Sequence, residues 1–110
     1  MEIPALKDAT FAGYIDAEHK PILVTFITRS SRPASEQLAT TIDLASSYEG
    51  VISFAIVNAD ESPALIDRYG ILSVPTSVLF NGGKVADRFV GLVSKSALNE
   101  RLDEALRNLI

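Results

Sequence analysis

Two residue types in this sequence could supply a nucleophile and its base. They are the serines of Thr28-Arg29-Ser30-Ser31-Arg32-Pro33 and the single histidine, His19. A serine hydroxyl attacks only when a base takes its proton and a third group orients that base. His19 lies in a polar turn, Glu18-His19-Lys20, and no acid is placed to complete such a set. The simpler role for Ser30 or Ser31 is to cap a helix, with the hydroxyl oxygen accepting a first-turn N–H. Arg29 and Arg32 flank the same loop, and two readings stay open for them. They are solvated side chains at a helix start, where the dipole gives a cation nothing, or they draw an anion or an acidic partner there. Thiol chemistry is excluded, because the chain has no cysteine. One histidine cannot build a metal cluster, and no acidic spacing of the calcium-loop kind is present. No cofactor or metal is expected.

These residues sit in a chain of 110 with a net charge of −4. That length suits one domain, residues 1–110, with a sizeable core and no room for a second. Nucleic-acid binding is not expected, since phosphate neutralisation needs clustered Lys and Arg. The apolar runs Pro21–Phe26 and Val51–Val57 fall far short of the roughly 20 residues of a membrane span. The opening MEIPALKDAT lacks the apolar stretch of a signal peptide. A cytoplasmic monomer without membrane contact is the expectation.

The elements that must position the loop alternate along the chain. Thr10 reads as an N-cap, with Phe11, Tyr14 and Ile15 on one helical face and an end near Ala17. Ile22–Ile27 is apolar on both faces, as a covered central strand is. The polar loop follows, then a helix with Leu38, Ile42 and Ala45 on one face and Leu44 and Tyr48 alongside. Pro33 is tolerated in its first turn, and Gly50 is its stop. Val51–Val57 is a second strand, and Asn58–Ser62 is a polar break. Ser62 and Pro63 start a short helix that runs to Tyr69 and ends at Gly70. Thr76–Phe80 and Val85–Val90 form a hairpin about Asn81-Gly82-Gly83. Gly91 breaks the last strand. Ser94 caps a final helix with Leu98, Leu102, Ala105 and Leu109 in one stripe. A short strand within Ile3–Leu6 is also allowed. The order α-β-α-β-α-β-β-α predicts an α/β fold: a mixed sheet of four to five strands, parallel at its crossovers, with helices on both faces. The acidic run at Asp60-Glu61 and the polar face of the last helix read as solvated surface.

The layout resembles thioredoxin over essentially the whole chain. The residues that carry the likeness are Pro21–Phe26, Tyr69-Gly70-Ile71 before Val74-Pro75-Thr76, the hairpin Phe80-Asn81-Gly82-Gly83-Lys84, and Val90-Gly91. The resemblance implies a thioredoxin fold, a cis peptide bond before Pro75, and a backbone segment there that holds an extended substrate. It also places the family's Cys-Gly-Pro-Cys signature on Ser31-Arg32-Pro33-Ala34. Both redox positions, the attacking cysteine at Ser31 and the resolving cysteine at Ala34, are therefore without sulfur. A thiolate at a helix N-terminus and a second thiol are what disulfide exchange needs. The departures extend further. Ser30 and Ile27 stand where the family has tryptophans, Thr25 where it has a buried acid, and Ile56 where that acid has its lysine partner. Acid and lysine lost together leave no unpaired charge.

Two histories fit: natural loss of redox work, or a parent with cysteines at 31 and 34 whose sulfurs were replaced by the small side chains Ser and Ala. In either case the implied function is a redox-inactive thioredoxin-like protein. It would keep a surface at Ile27, Arg32, Pro33, Val74, Pro75 and Gly91 for an extended peptide or protein client and for a thioredoxin reductase. In the alternatives it is a cysteine-replaced form of an active thiol–disulfide oxidoreductase, or a scaffold module that uses no such surface. Serine-type glutathione transferases also place a hydroxyl at this helix start, but they carry a further helical domain for which 110 residues leave no room.

Overall fold

Alternation along the strands builds the two cores of this protein, seen in a computed structural model that describes residues 3–109. The elements are β1 (Ala5–Leu6), α1 (Asp8–Ala17), β2 (Ile22–Ile27), α2 (Arg32–Ala45), β3 (Ser53–Asn58), α3 (Pro63–Tyr69), β4 (Thr76–Asn81), β5 (Lys84–Val90) and α4 (Lys95–Asn108). Short 3-10 turns span Ser46–Tyr48 and Ala59–Glu61. The five strands run in the order β1-β3-β2-β4-β5. β3 is parallel to β1 and β2, and β4 is antiparallel to both β2 and β5. The α/β fold with a mixed sheet expected from the element order is the one observed, and it is the thioredoxin fold that the resemblance implies.

Because side chains alternate across a strand, Ile22, Val24 and Phe26 join Phe11, Ile15, Leu65, Val78 and Phe80 on the face covered by α1 and α3. Leu23 joins Leu44, Tyr48, Phe54, Leu79, Leu98 and Leu102 on the face covered by α2 and α4. β2 is buried along its length except at Ile27, as its unbroken apolar run requires. The β4–β5 hairpin turns at Gly82 and Gly83, both at positive φ (60° and 80°). That is the conformation a two-residue turn matched to sheet twist demands, and it favours glycine. Among the described residues no helix is long and apolar enough to cross a membrane.

Several local expectations need correction. Thr10 is not the cap of α1: the N-cap is Lys7, whose N–H donates to Thr10 Oγ1 at 3.0 Å from inside the first turn. Ser62 occupies the N-cap position of α3 but makes no capping hydrogen bond. The amides of Ala64 and Leu65 donate instead to the Asp8 carboxylate, at 3.2 and 3.1 Å. A carboxylate across the fold does the capping because α1 and α3 pack side by side, and an anion suits a helix N-terminus. The buried face of α2 is the one expected at Leu44, Ala45 and Tyr48 but not over its first turns. Ala34, Gln37, Thr41, Leu44 and Ala45 are buried, while Ile42 is 53% exposed. The sheet and α4 meet α2 along the Ala34–Gln37–Thr41–Leu44 row, so two polar side chains enter the core and one isoleucine leaves it.

Candidate functional site

The loop after β2 ends at the N-terminus of α2. Ser31 is the N-cap, and its Oγ accepts the Ala34 N–H at 3.3 Å. Its carbonyl accepts the Ser35 amide at 3.1 Å and the Ser35 hydroxyl at 3.3 Å. Capping therefore accounts for the hydroxyl, as sequence reasoning expected of Ser30 or Ser31. Ser31 is partly exposed, Arg32 and Pro33 are exposed, and Ala34 is fully buried. The two positions expected to carry redox groups thus differ sharply in access. His19 precedes β2 while Ser31 follows it. A six-residue strand, about 20 Å long, separates them, so no Ser–His pair forms.

Arg29 is met by an acid. Its guanidinium lies 3.8 Å from Glu61, which also accepts from Asn58 Nδ2 at 3.3 Å and faces Lys7 at 3.9 Å. This ties the loop to the turn before α3 and engages one of the two arginines considered for an anion. The pair is exposed, so its contribution to stability is small.

Beneath the loop, Thr25 is fully buried, and its hydroxyl shares a hydrogen bond of 3.2 Å with Ser77 Oγ on β4. Its register partner on β3 is Ile56. Ser77, which sequence reasoning missed, is what satisfies the threonine. A serine two residues after Pro75 gives no local sign of that role, because the contact exists only through the β2–β4 register.

The other wall is the segment before β4. The Val74–Pro75 peptide bond is cis. Thr76 Oγ1 donates to the Ser73 carbonyl at 2.7 Å, and the Gly91 N–H donates to the Pro75 carbonyl at 2.9 Å. Gly91 has φ +84°, which a side chain would resist. Among the described residues, neither the N–H nor the C=O of Val74 takes part in a backbone hydrogen bond. Ile27 and Val74 are half-buried, but Pro75 is buried. The apolar surface expected around Ile27, Val74 and Pro75 therefore lacks the proline ring, which packs inward. Leu72, almost wholly exposed, lines the same cleft as Val74 and extends the surface instead. A shallow cleft of about 270 Å³ lies beside Val74, lined by Ala59, Asp60, Ile66, Ile71 and Leu72. Among the described residues no group of acidic or histidine side chains is arranged to hold a metal.

The arrangement offers unpaired backbone, apolar side chains and a capped helix start, with no thiol. Comparison with known proteins agrees with the architecture. The thioredoxin family model matches residues 2–104. Thioredoxin 1 of Nostoc sp. is 35% identical over 99 residues, covering 90% of this chain and 92% of that protein. Thioredoxin of Synechocystis sp. is 32% identical over 103 residues, covering 94% and 96%. The chloroplastic thioredoxin M4 of Arabidopsis thaliana is 32% identical over 106 residues; these are 96% of this chain but 55% of that longer protein.

Proposed function

The chain belongs to the thioredoxin family, and on that premise we propose that it does not exchange disulfides and instead holds an extended peptide non-covalently against residues 72–75. The observation that carries this reading is the unpaired backbone of Val74, which shares a cleft with exposed Leu72, together with half-buried Ile27 at the end of β2. A peptide strand laid beside Val74 gains main-chain hydrogen bonds, and its alternate side chains meet the apolar rim. In this reading Arg32, Pro33 and Gly91 border the same face. A thioredoxin reductase docking there would meet no sulfur and pass no electrons. The reading takes the protein to be a cytoplasmic monomer.

Backbone-bonded docking is tested by N-methylating the peptide. In a set of extended, cysteine-free octapeptides, methylating an amide that bonds Val74 should weaken binding about fivefold or more, the worth of one hydrogen bond. Methylating its outward-facing neighbour should change little. Chemical-shift changes should centre on the Val74 amide. No shift at Val74 with any peptide refutes the reading and leaves a scaffold that does not use this face.

A second reading, a cysteine-replaced form of an active oxidoreductase, draws support from the unequal access of Ser31 and Ala34. An attacking group needs exposure and a resolving one does not. The double reversion Ser31→Cys/Ala34→Cys tests it by insulin reduction. With Thr25 in place of an acid, we expect turnover about 10²-fold below a thioredoxin that has one, the usual worth of a positioned general acid or base. Full turnover would favour the disarmed-parent reading.

A further inference from the structure

The Gly91–Val93 loop is strung between two anchors. At one end the Gly91 N–H donates to the Pro75 carbonyl at 2.9 Å. At the other the Val93 N–H donates to Gln37 Oε1 at 2.7 Å. Leu92, between them, is 50% exposed and directly follows the residue bonded to Pro75. Gln37 is on α2, one turn beyond Pro33, and is fully buried. Its Nε2 has no hydrogen-bond partner among the described residues, and neither does the buried Thr41 Oγ1 one turn further along. A buried amide with half its capacity unused is poor stability design, since an apolar side chain of similar size would avoid the unpaired group. The half that is used reaches out of the helix to a loop amide 56 residues away in sequence.

We propose that Gln37 is a positioning residue for partner docking: its side-chain carbonyl latches the Gly91–Val93 loop onto α2 and so presents Leu92 at the rim of the peptide site. The inference rests on the docking reading above and adds to it a residue outside the contact surface. Without the latch, Gly91 still bonds Pro75, but the loop beyond it is free to lift. Leu92 then samples many positions, and ordering it again costs affinity.

The prediction is that stability and binding move in opposite directions. Gln37→Met keeps the volume and removes the unpaired amide. It should fold with unchanged or higher resistance to urea, exchange its Val93 amide proton about fivefold faster or more, and bind the same octapeptides about fivefold more weakly. Gln37→Glu keeps an acceptor oxygen within reach of Val93. It should be less stable, because a carboxyl is buried, yet bind the peptides more tightly than Gln37→Met does. Thr41→Val is the control: it removes the other unpaired group and should leave Val93 exchange and peptide affinity unchanged. A purely structural glutamine would make stability and affinity fall together, and that result overturns the proposal. So does a Gln37→Met protein that binds as the parent does. If the parent binds no peptide, the docking reading fails and this inference fails with it. If the parent binds and only the Gln37 variants behave otherwise than stated, the latch alone is wrong.

Discussion

Replacing Thr25 with aspartate would restore, at one position, the acid that the thioredoxin likeness expects beneath the α2 start. The site is now closed to it. Thr25 is fully buried, its hydroxyl is bonded to Ser77 Oγ at 3.2 Å, and its β3 neighbour Ile56 brings no charge. Burial alone raises a carboxyl pKa by about 3 units at such a depth. At about 1.4 kcal/mol per unit, that is a loss of about 4 kcal/mol at pH 7. The sign follows from linkage. The folded pKa lies above the unfolded value of about 3.9, so the penalty is small at pH 4 and grows as pH rises to the folded pKa. Urea unfolding of Thr25→Asp between pH 4 and 8 should show a falling midpoint with an unchanged slope. Adding Ile56→Lys places an ammonium in register with the carboxylate. Because leaving one partner of a buried pair uncompensated costs about 3–5 kcal/mol, the double variant should regain about 2 kcal/mol or more at pH 7 and flatten the pH dependence. A Thr25→Asp penalty that stays constant from pH 4 to 8 would mean that water reaches the site. That result refutes the argument that Thr25 and Ile56 together remove a buried-charge problem.

Two further outcomes can be measured on single variants. Asp8→Ala removes the carboxylate that accepts from Ala64 and Leu65; it should cost about 1–2 kcal/mol in urea unfolding, as loss of a helix cap does, and an unchanged midpoint would show that α3 is capped otherwise. Glu18 accepts from the Ser53 hydroxyl at 2.7 Å and from the Lys20 amide at 3.1 Å, and the Ser53 bond above all holds its pKa below the ordinary 4.5. Its contribution is therefore full above the unfolded pKa and is lost as pH falls through the lower folded value, so Glu18→Gln should flatten the acid limb of the stability curve. A parallel acid limb in that variant would refute it.

The order of elements along the chain was legible because local signals agreed. The apolar run at Ile22–Ile27 requires cover on both faces, the Gly82-Gly83 pair requires a hairpin, and Gly70, Gly91 and Ser94 mark element ends. The α2 face was legible only at its end, where Leu44, Ala45 and Tyr48 are buried as expected. Leu38 and Ile42 are more apolar than the Gln37 and Thr41 that take the core side, and only the helix's rotation against the sheet and α4 selects between them. Ser62 failed as a side-chain cap for a similar reason: a better acceptor, Asp8, arrives from a helix that is remote in sequence.

Ser31 and Ala34, with no cysteine anywhere in the chain, determine by residue type alone that no thiol chemistry is available. That needs no structure, because it depends on which atoms exist. What they do instead depends on where other residues arrive. The structure selected Ser31 over Ser30 as the cap of α2, and the tertiary fold alone decided that Arg29 meets Glu61, that Ser77 satisfies Thr25, and that Gln37 reaches the Val93 amide. Each of the last three joins residues from different elements, and a hydrogen bond or ion pair forms only within about 3–4 Å. Sequence spacing carries periodicity and turn geometry; such closeness is set by the packing of whole elements.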